Sequence, residues 1–134
     1  MRERLGPLTR AALGARIWWW YLRSALRVRN RPLPDVLDWI AGTANTRRAV
    51  RMEATRLGTI VGRVLLAAPH TNRCLLGSLV LYRLLRERGE SPELVIGLRE
   101  RPSSPDAHAW IELGGIDVGP PPGRSGHSPL ARYR

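Results

Sequence analysis

Lysine is missing from this 134-residue chain: all 22 basic side chains are arginine, set against 11 acids for a net charge of +11. Such a surface attracts polyanions, acidic peptides or anionic lipid, and charge alone does not choose among them; a coding bias explains the missing lysine equally well. There is one cysteine, so an internal disulfide is excluded. With no signal-peptide pattern at the start, the expected location is a reducing cytoplasm, where Cys74 is free for chemistry. Long apolar runs are also lacking. Arginines interrupt every stretch from Leu5 to Arg29, and nothing approaches the roughly 18 apolar residues of a spanning helix. His70 and His127 stand alone, without ligand spacing to a cysteine or an acid, so no metal and no cofactor is expected.

The length suits one domain, residues 1–134, and 43% hydrophobic content supplies a core. Prolines and glycines divide it into a basic, aromatic-rich helical segment (1–33), a helical stretch (34–68), a core carrying the candidate chemistry (69–119) and an irregular tail (120–134). No internal repeat is present.

Leu8 to Val28 reads as a basic helix that stops at Asn30-Arg31-Pro32-Leu33-Pro34. Within it Trp18, Trp19, Trp20 and Tyr21 follow one another. At about 100° per residue they sweep most of the helix and cannot share one buried stripe. They form either a docking surface for a partner protein or for the membrane periphery, or a helix wedged deep in its own domain. Pro34 to Ala41 starts a short helix with Asp35 and Asp38 in its first turn, closed by Gly42. From Thr43 to about Ala67, Val50, Ala54, Leu57, Val61, Val64 and Leu65 recur at three and four, predicting one amphipathic helix ended by Pro69. Arg47, Arg48, Arg51, Arg56 and Arg63 form its solvated face.

The chemistry starts at His70-Thr71-Asn72-Arg73-Cys74, a polar loop entering an apolar helix, Leu75 to Leu85, that ends by Gly89. Capped by Thr71 or Asn72, this helix holds Cys74 in its first turn, where free amides and the positive dipole end favour a thiolate. A lone cysteine beside leucines is, on this segment alone, more often a small buried hydrophobe. The period then becomes two. Glu93 to Leu98 is a strand, Arg99 to Asp106 a loop, Ala107 to Leu113 a second strand, Gly114-Gly115 a hairpin turn and Ile116 to Gly119 a third strand. Alternation sets His108, Trp110 and Glu112 on one face and Ala109, Ile111 and Leu113 on the apolar one.

Cys74-Leu75-Leu76, then Leu84-Leu85-Arg86-Glu87-Arg88-Gly89, Leu94-Val95-Ile96-Gly97 and Ala107-His108-Ala109-Trp110-Ile111-Glu112 together resemble the transglutaminase-like peptidases of lasso-peptide biosynthesis, over about Asn72 to Val118. The resemblance implies an α+β fold: a helical N-terminal part, then a papain-like core of one central helix on a small antiparallel sheet. It implies a cysteine peptidase that removes the leader of a ribosomally made precursor peptide, with Cys74 as nucleophile and His108 as its base. Its partners would be the precursor, a leader-recognition protein of the RRE type and a macrolactam synthetase.

Where that family carries its orienting acid, about a dozen residues after the histidine, this sequence has Pro120. Asp117 is the nearest acid. A tight Gly114-Gly115 turn pairs it with Glu112, some 13 Å from His108, so it serves only if the hairpin is irregular; Asp106 and a neutral orienter are the alternatives. For the oxyanion, the Cys74 amide and the Asn72 side chain are candidate donors, Asn72 serving otherwise as a helix cap. Trp110 either walls the cleft or packs on the sheet. Two other classes fit the composition: a basic nucleic-acid-binding protein, for which no motif is present and which is not expected, and a non-catalytic scaffold of the same fold.

Overall fold

The computed structural model describes residues 7–44, 52–69, 72–99, 107–124 and 126–134. Helix α1 (Pro7–Asn30) is a single 24-residue helix with Arg27 and Arg29 in its last turn, at the negative end of its dipole. Leu13, Ile17, Tyr21 and Ser24 are its buried side. The expected linker shrinks to two residues. Helix α2 (Leu33–Thr43) begins with Pro34 in its first turn, where a missing N–H is harmless. Gly42 does not close it; the helix continues to Thr43, whose hydroxyl donates to the Trp39 carbonyl (2.8 Å).

The long helix expected from Thr43 is not continuous. Residues 45–51, with Arg47, Arg48, Val50 and Arg51, lie outside the described residues, and helix α3 (Ala54–Val64) begins only after an extended Glu53. It tightens into a 3-10 turn over Leu65–Ala67 before Pro69. Leu57, Val61 and Leu65 are its buried stripe, and Arg63 is exposed.

Helix α4 (Arg73–Glu87) is buried continuously from Leu76 to Leu85. It needs cover on every side, which α1, α2 and α3 provide on one side and the sheet on the other. That sheet is antiparallel, in the order β3-β2-β1-β4, built from β1 (Glu93–Arg99), β2 (Ala107–Leu113), β3 (Ile116–Gly119) and β4 (His127–Tyr133). Gly114 and Gly115 both take positive φ, 60° and 80°, and make the expected two-residue turn between Leu113 and Ile116. Leu94, Ala109 and Ile111 face α4 and share one core with residues from Leu13 to Val118. The architecture is α+β.

The tail departs from expectation. Residues 127–133 are not an irregular strap but β4, antiparallel to β1 on the sheet's edge. Pro129 argues against a strand in sequence, yet an edge strand tolerates a missing donor, and the ladder shifts register beside it, between Ile96 and Gly97.

Candidate functional site

Cys74 is the second residue of α4 and is half-buried. Asn72 turns the chain into the helix in the left-handed conformation, φ 57°. It caps with no side-chain hydrogen bond, contrary to the expected capping role, while Thr71 lies outside the described residues. The first i→i−4 bond is Leu76 N–H to the Asn72 carbonyl (2.9 Å). The amides of Arg73, Cys74 and Leu75 precede it, and they are the donors that make a helix start hospitable to negative charge. Arg73 reaches back to the carbonyls of Leu66 (3.2 Å) and Ala68 (3.4 Å), tying this turn to the end of α3. The Cys74 carbonyl accepts the Ser78 hydroxyl (2.7 Å).

The start of α4 lies at the His108 end of β2. One turn past Cys74, a Cβ on Gly77 would sit 3.5 Å from Pro120. Pro120 follows Gly119, which pairs with Ile111, so it lies toward Trp110 and the beginning of β2. His108 is the second residue of that strand. Since Ala109 and Ile111 face α4, the His108 ring turns to the other side of the sheet. There it stacks on Trp110 (centroids 6.0 Å) and stands closer still to His127 of β4 (4.7 Å).

Trp110 is wholly buried. It lies over Gly97, where a Cβ would come within 2.7 Å of the indole, and its Nε1–H donates to Glu112 Oε2 (2.9 Å). Glu112 also accepts from Arg132 (2.8 Å), which in turn reaches Glu93 (3.3 Å). Burial alone would raise the Glu112 carboxyl. The hydrogen bonds from Arg132 and Trp110, with the Arg132 charge behind them, outweigh it and hold Glu112 below the usual carboxylate range.

Asp117 is not brought to His108. It pairs with Glu112 in the ladder, as the tight turn requires; the ladder does shift register between Ile111 and Glu112, beyond that pair, which leaves Asp117 four residues and roughly 13 Å along the strand from His108. Its carboxylate is occupied elsewhere: Oδ1 accepts Gly119 N–H (2.9 Å) and Oδ2 accepts Arg124 N–H (2.8 Å), folding the Gly119–Arg124 turn. Asp106 lies outside the described residues.

A sequence model described as the transglutaminase-like superfamily matches residues 11–132. The chain belongs to the transglutaminase-like superfamily. No curated protein matches it, nor does any solved structure. In this transglutaminase-like domain Cys74 lies in the first turn of α4 and His108 on the adjoining sheet. His127, isolated in the sequence, is brought against His108 by β4, which the sequence reading did not foresee. The signal was the alternation His127, Pro129, Ala131 and Tyr133, all half-buried, against exposed Ser128, Leu130 and Arg132, and Pro129 obscured it. The aromatic run divides: Trp18 and Trp20 are half-buried, Tyr21 is buried and Trp19 is exposed. Among the described residues no cluster of potential ligands could hold a metal ion, and no helix is long and apolar enough to cross a membrane.

Proposed function

We propose that this transglutaminase-like protein is a cysteine peptidase that removes the leader from a ribosomally made lasso-peptide precursor. The observation that carries the reading is the superfamily match over a chain whose one cysteine opens α4 at the His108 end of β2. Its motifs, from Cys74-Leu75-Leu76 to Ala107-His108-Ala109-Trp110, supply the substrate class by resemblance.

In this reading the Cys74 sulfur attacks the scissile carbonyl while His108 takes the thiol proton. The oxyanion is met by the Cys74 amide and by the Asn72 carboxamide, which is not spent on a cap. His108 then gives its proton to the departing amine, leaving a thioester on the leader. Water, deprotonated by His108, cleaves the thioester, releases the leader carboxylate and restores the thiol. Asp117, held by two backbone amides, does not orient the base. His127, with its ring 4.7 Å from His108, takes the positioning role. Trp110 fixes the other side of the His108 ring and does not touch the substrate. The precursor reaches the enzyme with an RRE-type leader-recognition protein, and a macrolactam synthetase takes the freed core peptide.

A second reading, a non-catalytic scaffold, is favoured by one observation: the His108 ring shares the Trp110 face of the sheet rather than the face packed on α4. Mass spectrometry of the cognate precursor with its leader-recognition protein separates the two. Leader release by wild type, abolished in Cys74→Ala and His108→Ala, is the expected result. Cleavage by Cys74→Ala at the wild-type rate refutes the peptidase, and no cleavage by any version moves the scaffold to first place.

A further inference from the structure

Helix α1 has two apolar sides where a surface helix has one. Leu13, Ile17 and Tyr21 are buried. On the opposite side Ala15, Trp19, Leu22 and Leu26 fall within about 60° of one another on a helical wheel, centred roughly 180° from the buried stripe. Trp19, Leu22 and Leu26 are 54%, 55% and 62% exposed. A stripe of that kind normally has a covering partner.

Charge limits what the cover can be. Helix α1 contains no acid, and the stripe is flanked by Arg23 and Arg27 on one side and Arg29 on the other. Arg23 lies over the Trp19 ring (5.3 Å) and Arg27 over Trp39 (4.5 Å), so the guanidiniums are held along the edge of the stripe. A second copy of a chain carrying +11 would set these arginines against themselves across a two-fold axis. The occupant is anionic.

Shape separates a lipid surface from a protein. The hollow along the stripe, about 550 Å³, is lined by Trp19, Leu22, Leu26, Arg27 and neighbours no further away than Arg31. Among the described residues α1 and the Arg31 that follows it supply its wall, and no second element grips the far side of an incoming helix. The centre of the stripe has no hydrogen-bonding group apart from the Trp19 indole N–H, so little there reads a partner's sequence. A ridge with tryptophan and leucine outward and arginine at its edges is instead the form that lies in a bilayer interface.

We infer that α1 docks the protein on anionic phospholipid, with Trp19, Leu22 and Leu26 entering the interface and Arg23, Arg27 and Arg29 meeting lipid phosphates. This goes beyond the peptidase reading and does not depend on it. The test is co-sedimentation of the full chain with vesicles of phosphatidylcholine alone and of phosphatidylcholine with phosphatidylglycerol, at low and high salt. The expected result is binding to the anionic vesicles with a blue shift of tryptophan emission. Partitioning should weaken about tenfold or more in the Leu22→Glu/Leu26→Glu double variant and less in Trp19→Ala. These side chains are exposed, and circular dichroism confirms that the variants fold. Three outcomes overturn the inference: no binding to anionic vesicles; equal binding by the double variant, which makes it bulk charge; or ridge-dependent dimers or ridge-dependent binding of an acidic amphipathic peptide in place of vesicle binding.

Discussion

Three side chains, one on each of β3, β4 and β2, answer to different measurements. Asp117 accepts two amides of the turn that leads to β4, so Asp117→Asn, which keeps only one acceptor, should lose about 1–2 kcal/mol in urea unfolding while leader cleavage stays close to wild type. His127→Ala should act the other way, lowering kcat by about 10–100-fold with KM little changed, because it frees the His108 ring rather than the substrate. A displaced acid limb in its pH–rate profile, with partial rescue by His127→Asn, would distinguish positioning from packing. Glu112 contributes a pH dependence to stability. Its carboxyl is depressed in the folded state, so its contribution is present above the ordinary unfolded value of about 4.3 and is lost as pH falls through the folded value. Urea midpoints of wild type should fall below about pH 4.5 more steeply than those of Glu112→Gln, and the two curves should converge in acid.

At the scale of elements, α4 is fastened to its neighbours by buried polar side chains. Arg83 and Glu87 are both buried and paired (2.8 Å). Glu87 also takes Arg16 of α1, and Arg83 reaches the Ile40 carbonyl (3.2 Å) and Thr43 at the end of α2 while lying 3.7 Å from the Trp20 ring. Glu87→Ala leaves Arg83 buried without its carboxylate and should cost about 3–5 kcal/mol by calorimetry or denaturant titration. The other close joint is α3 on β3. A Cβ on Gly58 would overlap the Val118 carbonyl oxygen, so Gly58→Ala should destabilise by about 1–3 kcal/mol despite its better helix propensity.

For the whole molecule, β4 matters more than its arginines and proline suggest. It closes the free edge of β1, and Arg132 on it crosses to Glu112 on β2. Ending the chain after Arg124 would leave β1 an open edge and strip His127 and Arg132 from around Trp110. Loss of a cooperative thermal transition, with aggregation seen by light scattering, is the expected outcome.

Local information made much of this legible. The basic helical pattern of α1, the apolar spacing at three and four in α3, the apolar run of α4, the alternation in β1 and β2 and the two glycines of the hairpin each encode one element through its own period or turn. The pairing of Asp117 with Glu112 followed from that turn alone, and with it the distance of Asp117 from His108. The start of α3 was not legible, because helical spacing persists in sequence whether or not the backbone before Ala54 is helical. Nor were β4, the His127 ring against His108, the burial of Glu87 and Glu112, or the outward side of α1. Each of these depends on a neighbour distant in the chain: an edge strand needs β1, a buried carboxylate needs its arginine, and a helix with two apolar sides shows which is covered only when the core has formed on one of them. Period and turn chemistry act over a few residues, and desolvation and pairing are decided by what the fold brings close.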